Sequence, residues 1–329
     1  MLQRIILLCI ILVFMACQSN KPTQPTSERI LDTIPEFLAD SAYLILKNQC
    51  EFGPRTLGSD AHEKCGQYIV REFERFGCKT SLQKATFTRY DGKKFEGYNI
   101  IAQTDSKAQK RIMICTHWDS RPWCDADFDS TKWHQPVLAA NDGASGVGVM
   151  IELARILQEK PLSYGVDFVC FDAEDMGTPM WENSTTDNAD TWCLGSQYWA
   201  NHPHNNSISF AILLDMVGGK GATFYQEGYS LRYAPHIVNK VWNIAAQTGY
   251  RDFFPTEKGG FITDDHVPMN ITAKIPTIDI IPYYPMLSNA FGPVWHTSQD
   301  NMENISPLTL KAIGQTLIQF LYTEQTHDN

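Results

Sequence analysis

Five short stretches of this 329-residue chain each close a hydrophobic run with side chains able to bind a metal or move a proton. They are Thr116-His117-Trp118-Asp119, Asn141-Asp142-Gly143, Asp172-Ala173-Glu174-Asp175, Leu214-Asp215-Met216 and Val294-Trp295-His296. Imidazole nitrogen and carboxylate oxygen are donors that suit zinc, and a catalytic zinc keeps one position open for water or substrate. A glutamate beside a metal-binding aspartate, as Glu174 stands beside Asp175, is able to remain unligated and carry protons. One strand-end carboxylate alone would be read as a helix cap; five such stretches in series read as a zinc site.

The runs that lead into these stretches show how they are positioned. Arg111 to Thr116, Val166 to Phe171 and Phe210 to Leu214 are too short for helices and read as buried strands. Ligands carried at strand ends gather at one edge of a sheet, where open α/β folds keep their sites. Amphipathic helices are expected at about Ile34 to Leu46 and at His62 to Phe76, the second with Ser59-Asp60 as N-cap and Gly77 as stop. Strand-like runs follow at about Thr80 to Arg89 and Tyr98 to Gln103, divided at Asp91-Gly92. Asp119 to Val137 reads as a long functional loop, and Gly146 to Gln158 as a helix whose small first residues permit close approach to a metal. Strand and helix then alternate through Leu194–Ala200, Ile208–Leu214, about Leu231–Gln247, Thr277–Pro282 and Leu308–Tyr322. This pattern predicts a three-layer α/β/α sandwich.

Hydrophobic content of 43% and charged content of 19% predict a folded chain with a sizeable core, taken here as one catalytic domain over residues 31–329. A formal charge of -10, with no Lys/Arg-rich stretch interleaved with aromatics, argues against nucleic acid as a partner. The acidic balance accords with substrates that carry a free amino terminus, and equally with an ordinary solvated surface. Residues 1–17 place Arg4 before the apolar run Ile5 to Phe14 and end in Met15-Ala16-Cys17. That leader resembles a bacterial lipoprotein signal with Cys17 as the lipidated residue, and the run is too short to span a membrane. Residues 18–30 then read as a polar tether, and the expected location is the bacterial cell envelope, facing the periplasm or the surface. Seven cysteines remain beyond Cys17, an odd number, so at least one is expected to be unpaired.

The ordered motifs His-X-Asp, Asn-Asp-Gly-Ala-Ser-Gly, Phe-Asp-Ala-Glu-Asp, Leu-Leu-Asp-Met and Trp-His-Thr resemble the zinc-dependent aminopeptidase superfamily. Ile262-Thr263-Asp264-Asp265-His266-Val267-Pro268 and Phe291-Gly292-Pro293-Val294-Trp295-His296-Thr297, with Asp300-Asn301 after it, resemble its glutaminyl cyclase branch. The resemblance covers about Ile34 to Tyr322. It implies a central mixed, mostly parallel sheet and one zinc per chain, held by Asp142, Asp175 and His296. It further implies Glu174 as general acid/base, Asp215 and Asp264 as the acidic pair sharing hydrogen bonds with it, and Trp181, Phe291 and Trp295 as the aromatic wall. The implied reaction is cyclisation of the N-terminal glutamine of peptides or proteins to pyroglutamate with release of ammonia. Crowding three carboxyls together is expected to raise at least one carboxyl pKa. Two departures stand out: animal members usually carry Glu at the position of Asp175, and a His at the position of Asp279.

The rival reading is a two-zinc aminopeptidase that recruits His117 and Asp215 to a second ion, with Asp142 bridging and Glu174 activating water. A further one is a lipid-anchored peptide-binding protein that kept the fold and lost catalysis. His202 and His204 read as a solvated loop, and the Asn-X-Ser/Thr triplets at Asn183, Asn205 and Asn270 as turns.

Overall fold

The structure is a computed structural model and describes residues 34–182 and 188–326. The leader and tether assigned to residues 1–30, Cys17 included, lie outside the described residues, as does the Asn183 triplet. In chain order the main elements are α1 (Ala39–Cys50), α2 (Asp60–Arg75), β1 (Lys79–Thr88), β2 (Lys94–Gln103), β3 (Arg111–His117), α3 (Ala144–Glu159), β4 (Gly165–Phe171), α4 (Leu194–Asn201), β5 (Ile208–Leu214), α5 (Gly228–Tyr233), α6 (Pro235–Gln247), β6 (Thr277–Ile280) and α7 (Pro307–Thr326). The strands form one sheet in the order β1-β2-β4-β3-β5-β6. Neighbours β4, β3, β5 and β6 pair in parallel, and β1 and β2 add an antiparallel edge.

Every residue of β3 and β4 is buried, which is the reason these strands read as unbroken apolar runs rather than alternating ones. One face of the sheet presents Met113, Cys115, Val169, Phe171 and Leu213 to Trp199 of α4 and to Met269. On the other face Phe73 of α2 stacks on Phe168 of β4 at 5.5 Å between ring centroids, and α3 packs against β3. Helices on both faces make the three layers that the alternation predicted. All seven described cysteines are free and buried, so none forms a disulfide.

Two elements differ from expectation. The first helix begins at Ala39 rather than Ile34, because the preceding residues form an extended strap: the Phe37 amide donates to Gln315 Oε1 at 2.9 Å and the Leu38 amide to Glu152 Oε1 at 3.3 Å. The helix expected over Leu231–Gln247 is two helices, broken at Ala234 (φ −139°, ψ 48°) because Pro235 bars its predecessor from helical geometry. Asn270 is not in a turn either. It sits buried in a π-helical segment, Met269–Ala273, and its amide brackets Thr277 at the start of β6.

The small residues at the start of α3 serve the sheet rather than a metal. A Cβ on Gly146 would lie 2.1 Å from Thr116 Oγ1 and 2.9 Å from the Leu214 carbonyl oxygen. The helix therefore rests directly on the ends of β3 and β5, where Thr116 Oγ1 also donates to Leu214 O at 2.7 Å. Gly146→Ala is expected to lower stability by about 1–3 kcal/mol, the usual cost of overpacking a close-packed contact. Thermal melts of the two proteins check this, and an unchanged melting temperature contradicts the close approach.

Candidate metal and acid–base site

Because β3, β4, β5 and β6 run parallel, their C-terminal ends share one edge. The stretches at His117, Glu174-Asp175 and Asp215 lie at the ends of β3, β4 and β5, while Asp142, just ahead of α3, and His296, in the loop after β6, reach the same edge through longer connections. Four non-glycine residues there adopt left-handed backbone: Ala173 (φ 55°), Cys193 (φ 57°), Met216 (φ 50°) and His296 (φ 53°). Such strain clusters where surrounding structure over-determines a side chain's aim. Here it falls beside Glu174, Asp215 and the imidazole of His296. Buried carboxylates brace the backbone from behind. Asp300 accepts the amides of Asn141 and Asp142 at 2.7 and 3.0 Å, and Asp119 accepts those of Glu174 and Asp175 at 3.1 and 3.2 Å.

Asp142, Asp175 and His296 offer ligand atoms that lie within 4.8 Å of one another, and all three residues are buried. His296 Nε2 is 3.0 Å from Asp175 Oδ1 and 3.6 Å from Asp142 Oδ2. Its ring stacks with Trp295, at 3.6 Å between centroids, and with Trp192, at 5.9 Å with nearly parallel planes. Burial, with Asp175 and Asp215 facing it, pushes the Asp142 carboxyl well above the usual range. Burial also works against the Asp175 carboxylate, but His296 and Arg121 beside it hold its pKa well below the usual range. Asp175 Oδ2 is buried without a hydrogen-bond partner. Two crowded carboxylates, an imidazole and an orphaned oxygen fit a divalent cation, and a nitrogen-plus-carboxylate donor set suits zinc. A second trio shares Asp142: His117 Nε2 is 2.9 Å from Asp142 Oδ1 and 3.2 Å from Asp215 Oδ1. Although burial disfavours its charge, hydrogen bonds with Asp119, Asp142 and Asp215 raise the His117 pKa well above normal.

Beside the metal cradle opens a cavity of about 270 Å³, whose lining includes Glu174, Asp264, Trp192, Ile262, Phe291 and Trp295. Phe291 and Trp295 stack at 4.7 Å and form its apolar wall with Met216, Ile262 and Ile281. Burial, then Asp175 and Asp264, push the Glu174 carboxyl well above its ordinary value. Burial and Asp215 push Asp264 up to about 7. The expected rise is therefore present on Glu174 and Asp264. Behind Asp264, Asp279 is fully buried with neither oxygen accepting a hydrogen bond, and burial with Asp264 pushes its pKa well up. Its neighbour His266 has Nδ1 3.7 Å from Asp279 Oδ2 and Nε2 3.1 Å from Glu227 Oε2. Asp279 thus backs the acidic cluster rather than lining the cavity.

One expected residue lies elsewhere. Trp181 does not line the cavity; it packs against Trp123, Trp133 and His134 in a separate aromatic group. The cause is the buried ion pair of Arg121 and Asp125, which spans the long loop after β3. Asp125 accepts the Met180 amide at 2.9 Å and Arg121 NH1 donates to the Gly177 carbonyl, drawing this segment away from the cavity. Trp192 supplies the wall instead, and nothing in its Asp190-Thr191-Trp192 context marked it. Asp119 and Asp172 are supports rather than ligands; Asp172 accepts from His62 Nε2 at 2.9 Å and from the Tyr98 amide at 2.8 Å. His204 is likewise structural, bonded to Asp167 and Trp199.

A three-layer sandwich with a histidine–carboxylate cradle at the C-terminal edge of its parallel strands defines a metallopeptidase-like protein. The chain belongs to peptidase family M28, whose model matches residues 99–321. It is similar to a glutaminyl cyclase from Bacteroides thetaiotaomicron, at 46% identity over 88% of this chain and 99% of that one, with a TM-score of 0.85. It is equally similar to a Zn-dependent exopeptidase from Parabacteroides distasonis, at 48% identity with the same coverage and TM-score. The bovine glutaminyl-peptide cyclotransferase is 24% identical over 301 residues, 80% of this chain and 76% of that protein.

Removing the brace under Asp142 tests the cradle. Asp300→Ala is expected to weaken zinc binding about 10- to 100-fold, the usual effect of losing a group that orients a ligand. Chelator competition measures it, and wild-type affinity in the variant contradicts the assigned support.

Proposed function

We propose that this protein is a zinc-dependent glutaminyl-peptide cyclotransferase that converts the N-terminal glutamine of peptides or proteins to pyroglutamate and releases ammonia. The observation that carries the reading is the cavity itself. A small aromatic-walled chamber joins the cradle to Glu174 and Asp264, in a chain that aligns over nearly all of a known bacterial glutaminyl cyclase. Asp142, Asp175 and His296 would hold one zinc per chain, which when bound would polarise the side-chain amide carbonyl of the substrate. Phe291, Trp295 and Trp192 flank the glutaminyl side chain and bring its own α-amine to the amide carbon, so no catalytic water is required. As the new C–N bond forms, Glu174 accepts a proton from the amine, and it returns that proton to the departing amide nitrogen as ammonia leaves. The raised pKa values of Glu174 and Asp264 support a shared proton in this cluster. Asp215 faces His117 and Asp142 and completes the acidic group.

The two-zinc aminopeptidase remains the second reading, favoured by the His117–Asp142–Asp215 trio and by the exopeptidase likeness. Product analysis separates the two. Incubated with a glutamine-initiated and a leucine-initiated peptide, the enzyme is expected to remove ammonia's mass from the first and leave the second intact. Glu174→Gln is expected to keep its zinc and lose most turnover, about 100-fold or more for a lost general acid–base group. Free leucine released from the second peptide, with two zincs per chain, overturns the cyclase reading.

We further propose that the protein is a lipoprotein of the bacterial cell envelope, anchored through Cys17, on the strength of the short apolar leader that ends Met15-Ala16-Cys17. Mass spectrometry of the membrane-extracted protein is expected to find acyl chains on an N-terminal Cys17. An unmodified terminus at another residue contradicts this.

A further inference from the structure

Among the described residues, the Glu174 carboxylate accepts one side-chain hydrogen bond, and its donor is a thiol: Cys193 Sγ lies 3.3 Å from Oε1. The contact is built with some care. The Cys193 amide donates to the Glu174 carbonyl at 2.9 Å and the Leu194 amide to the Ala173 carbonyl at 3.1 Å, so the two segments are laced together in register. Cys193 takes left-handed backbone (φ 57°, ψ 33°) at the start of α4, a conformation that costs a non-glycine residue energy. Two residues on, a Cβ on Gly195 would lie 2.1 Å from the Asp172 carbonyl oxygen, so the helix start is pressed against the end of β4. Other cysteines differ: Cys115 meets a strand carbonyl, Ile212 O at 3.7 Å, and Cys50 lies against the Arg55 guanidinium.

We propose that Cys193 is a positioning residue for the reaction: its S–H donates to Glu174 Oε1 and holds the carboxylate toward the cavity, leaving the second oxygen to exchange the substrate's proton. A neutral thiol suits this task, because it supplies a donor without a positive charge that would stabilise the carboxylate and lower its basicity. Burial and the adjacent acidic groups keep the thiol protonated, pushing its pKa well above the usual cysteine value. The same feature makes Cys193 a poor nucleophile, so it orients the base without taking part in bond making.

The inference rests on Glu174 as the proton carrier, a role common to the cyclase and to the hydrolase. It is therefore tested on whichever N-terminal substrate the wild-type enzyme turns over, and a failed cyclase assay leaves the Cys193 comparison intact. Three variants are compared for kcat, KM and zinc content. Cys193→Ala deletes the donor. Cys193→Gly deletes it too while relieving the left-handed backbone, which guards against loss of fold. Cys193→Ser keeps a donor. The Ala and Gly variants are expected to lower kcat about tenfold, the effect of one hydrogen bond to a charged group, with KM and zinc content near wild type. The Ser variant is expected to retain most of kcat. Crystal structures of the same proteins are expected to show Glu174 displaced from its wild-type rotamer in the Ala and Gly variants and unmoved in the Ser variant. Wild-type kcat and an unmoved Glu174 in either deletion variant overturn the proposal. So does a Ser variant as impaired as Ala, which would leave Cys193 as packing only.

Discussion

Concentrated negative charge in a buried space is the constraint on which the rest of the site depends. The fold brings Asp142, Glu174, Asp175, Asp215 and Asp264 together in and around one cavity, with the imidazoles of His117 and His296 beside them. Carboxylates removed from water repel one another strongly, and the structure relieves this in three ways. His117 bridges Asp142 and Asp215. His296 and Arg121 stabilise Asp175. Glu174 and Asp264 have raised pKa values and so retain protons to higher pH. A cation held by Asp142, Asp175 and His296, as proposed, would remove the repulsion that remains. Metal binding and proton storage are thus two responses to the same electrostatic load.

A site of this kind requires rigid support, since an imidazole or carboxylate free to rotate would turn toward water. The support comes from groups that never face the cavity. Asp300 and Asp119 each grip a pair of consecutive backbone amides, and the Arg121–Asp125 pair fixes the loop that carries Asp175 and ends near His296. Each is a buried charge with charge-assisted hydrogen bonds, the condition under which such burial is tolerable. Trp192 and Trp295 add to this support, each stacking with the His296 ring. The left-handed residues Ala173, Met216 and His296 show what this rigidity costs, since each keeps a strained backbone in order to aim its neighbourhood at the cavity.

The aromatic group around Trp181 illustrates how a support can reassign a neighbour. Trp181 and Trp192 both lie in the stretch between β4 and α4, and either indole has the size to wall a small chamber. The Asp125 carboxylate, by accepting the Met180 amide, commits Trp181 to the loop after β3 and leaves the wall to Trp192.

The layered architecture and most element positions were legible in the sequence because burial on both faces leaves β3 and β4 as unbroken apolar runs, and because a ligand-type residue closes β3 and directly follows β4 and β5, whereas the order of the strands was not. His117, Glu174, Asp175 and Asp215 were legible as candidates because they close apolar strand runs, whereas the roles of Asp142, Asp264 and His296 were implied by the family resemblance of their motifs. Lateral contacts between segments far apart in the chain were not legible. The strap before α1 depends on Gln315 and Glu152, the inward tryptophan on Arg121 and Asp125, and the place of Asp279 on its position behind Asp264. The donor to Glu174 depends on a left-handed turn at Cys193, nineteen residues away. Periodicity and residue type are local properties and determine which elements form and what chemistry they carry. The partner of each buried polar group is chosen only when distant segments pack, and that choice belongs to the tertiary structure alone.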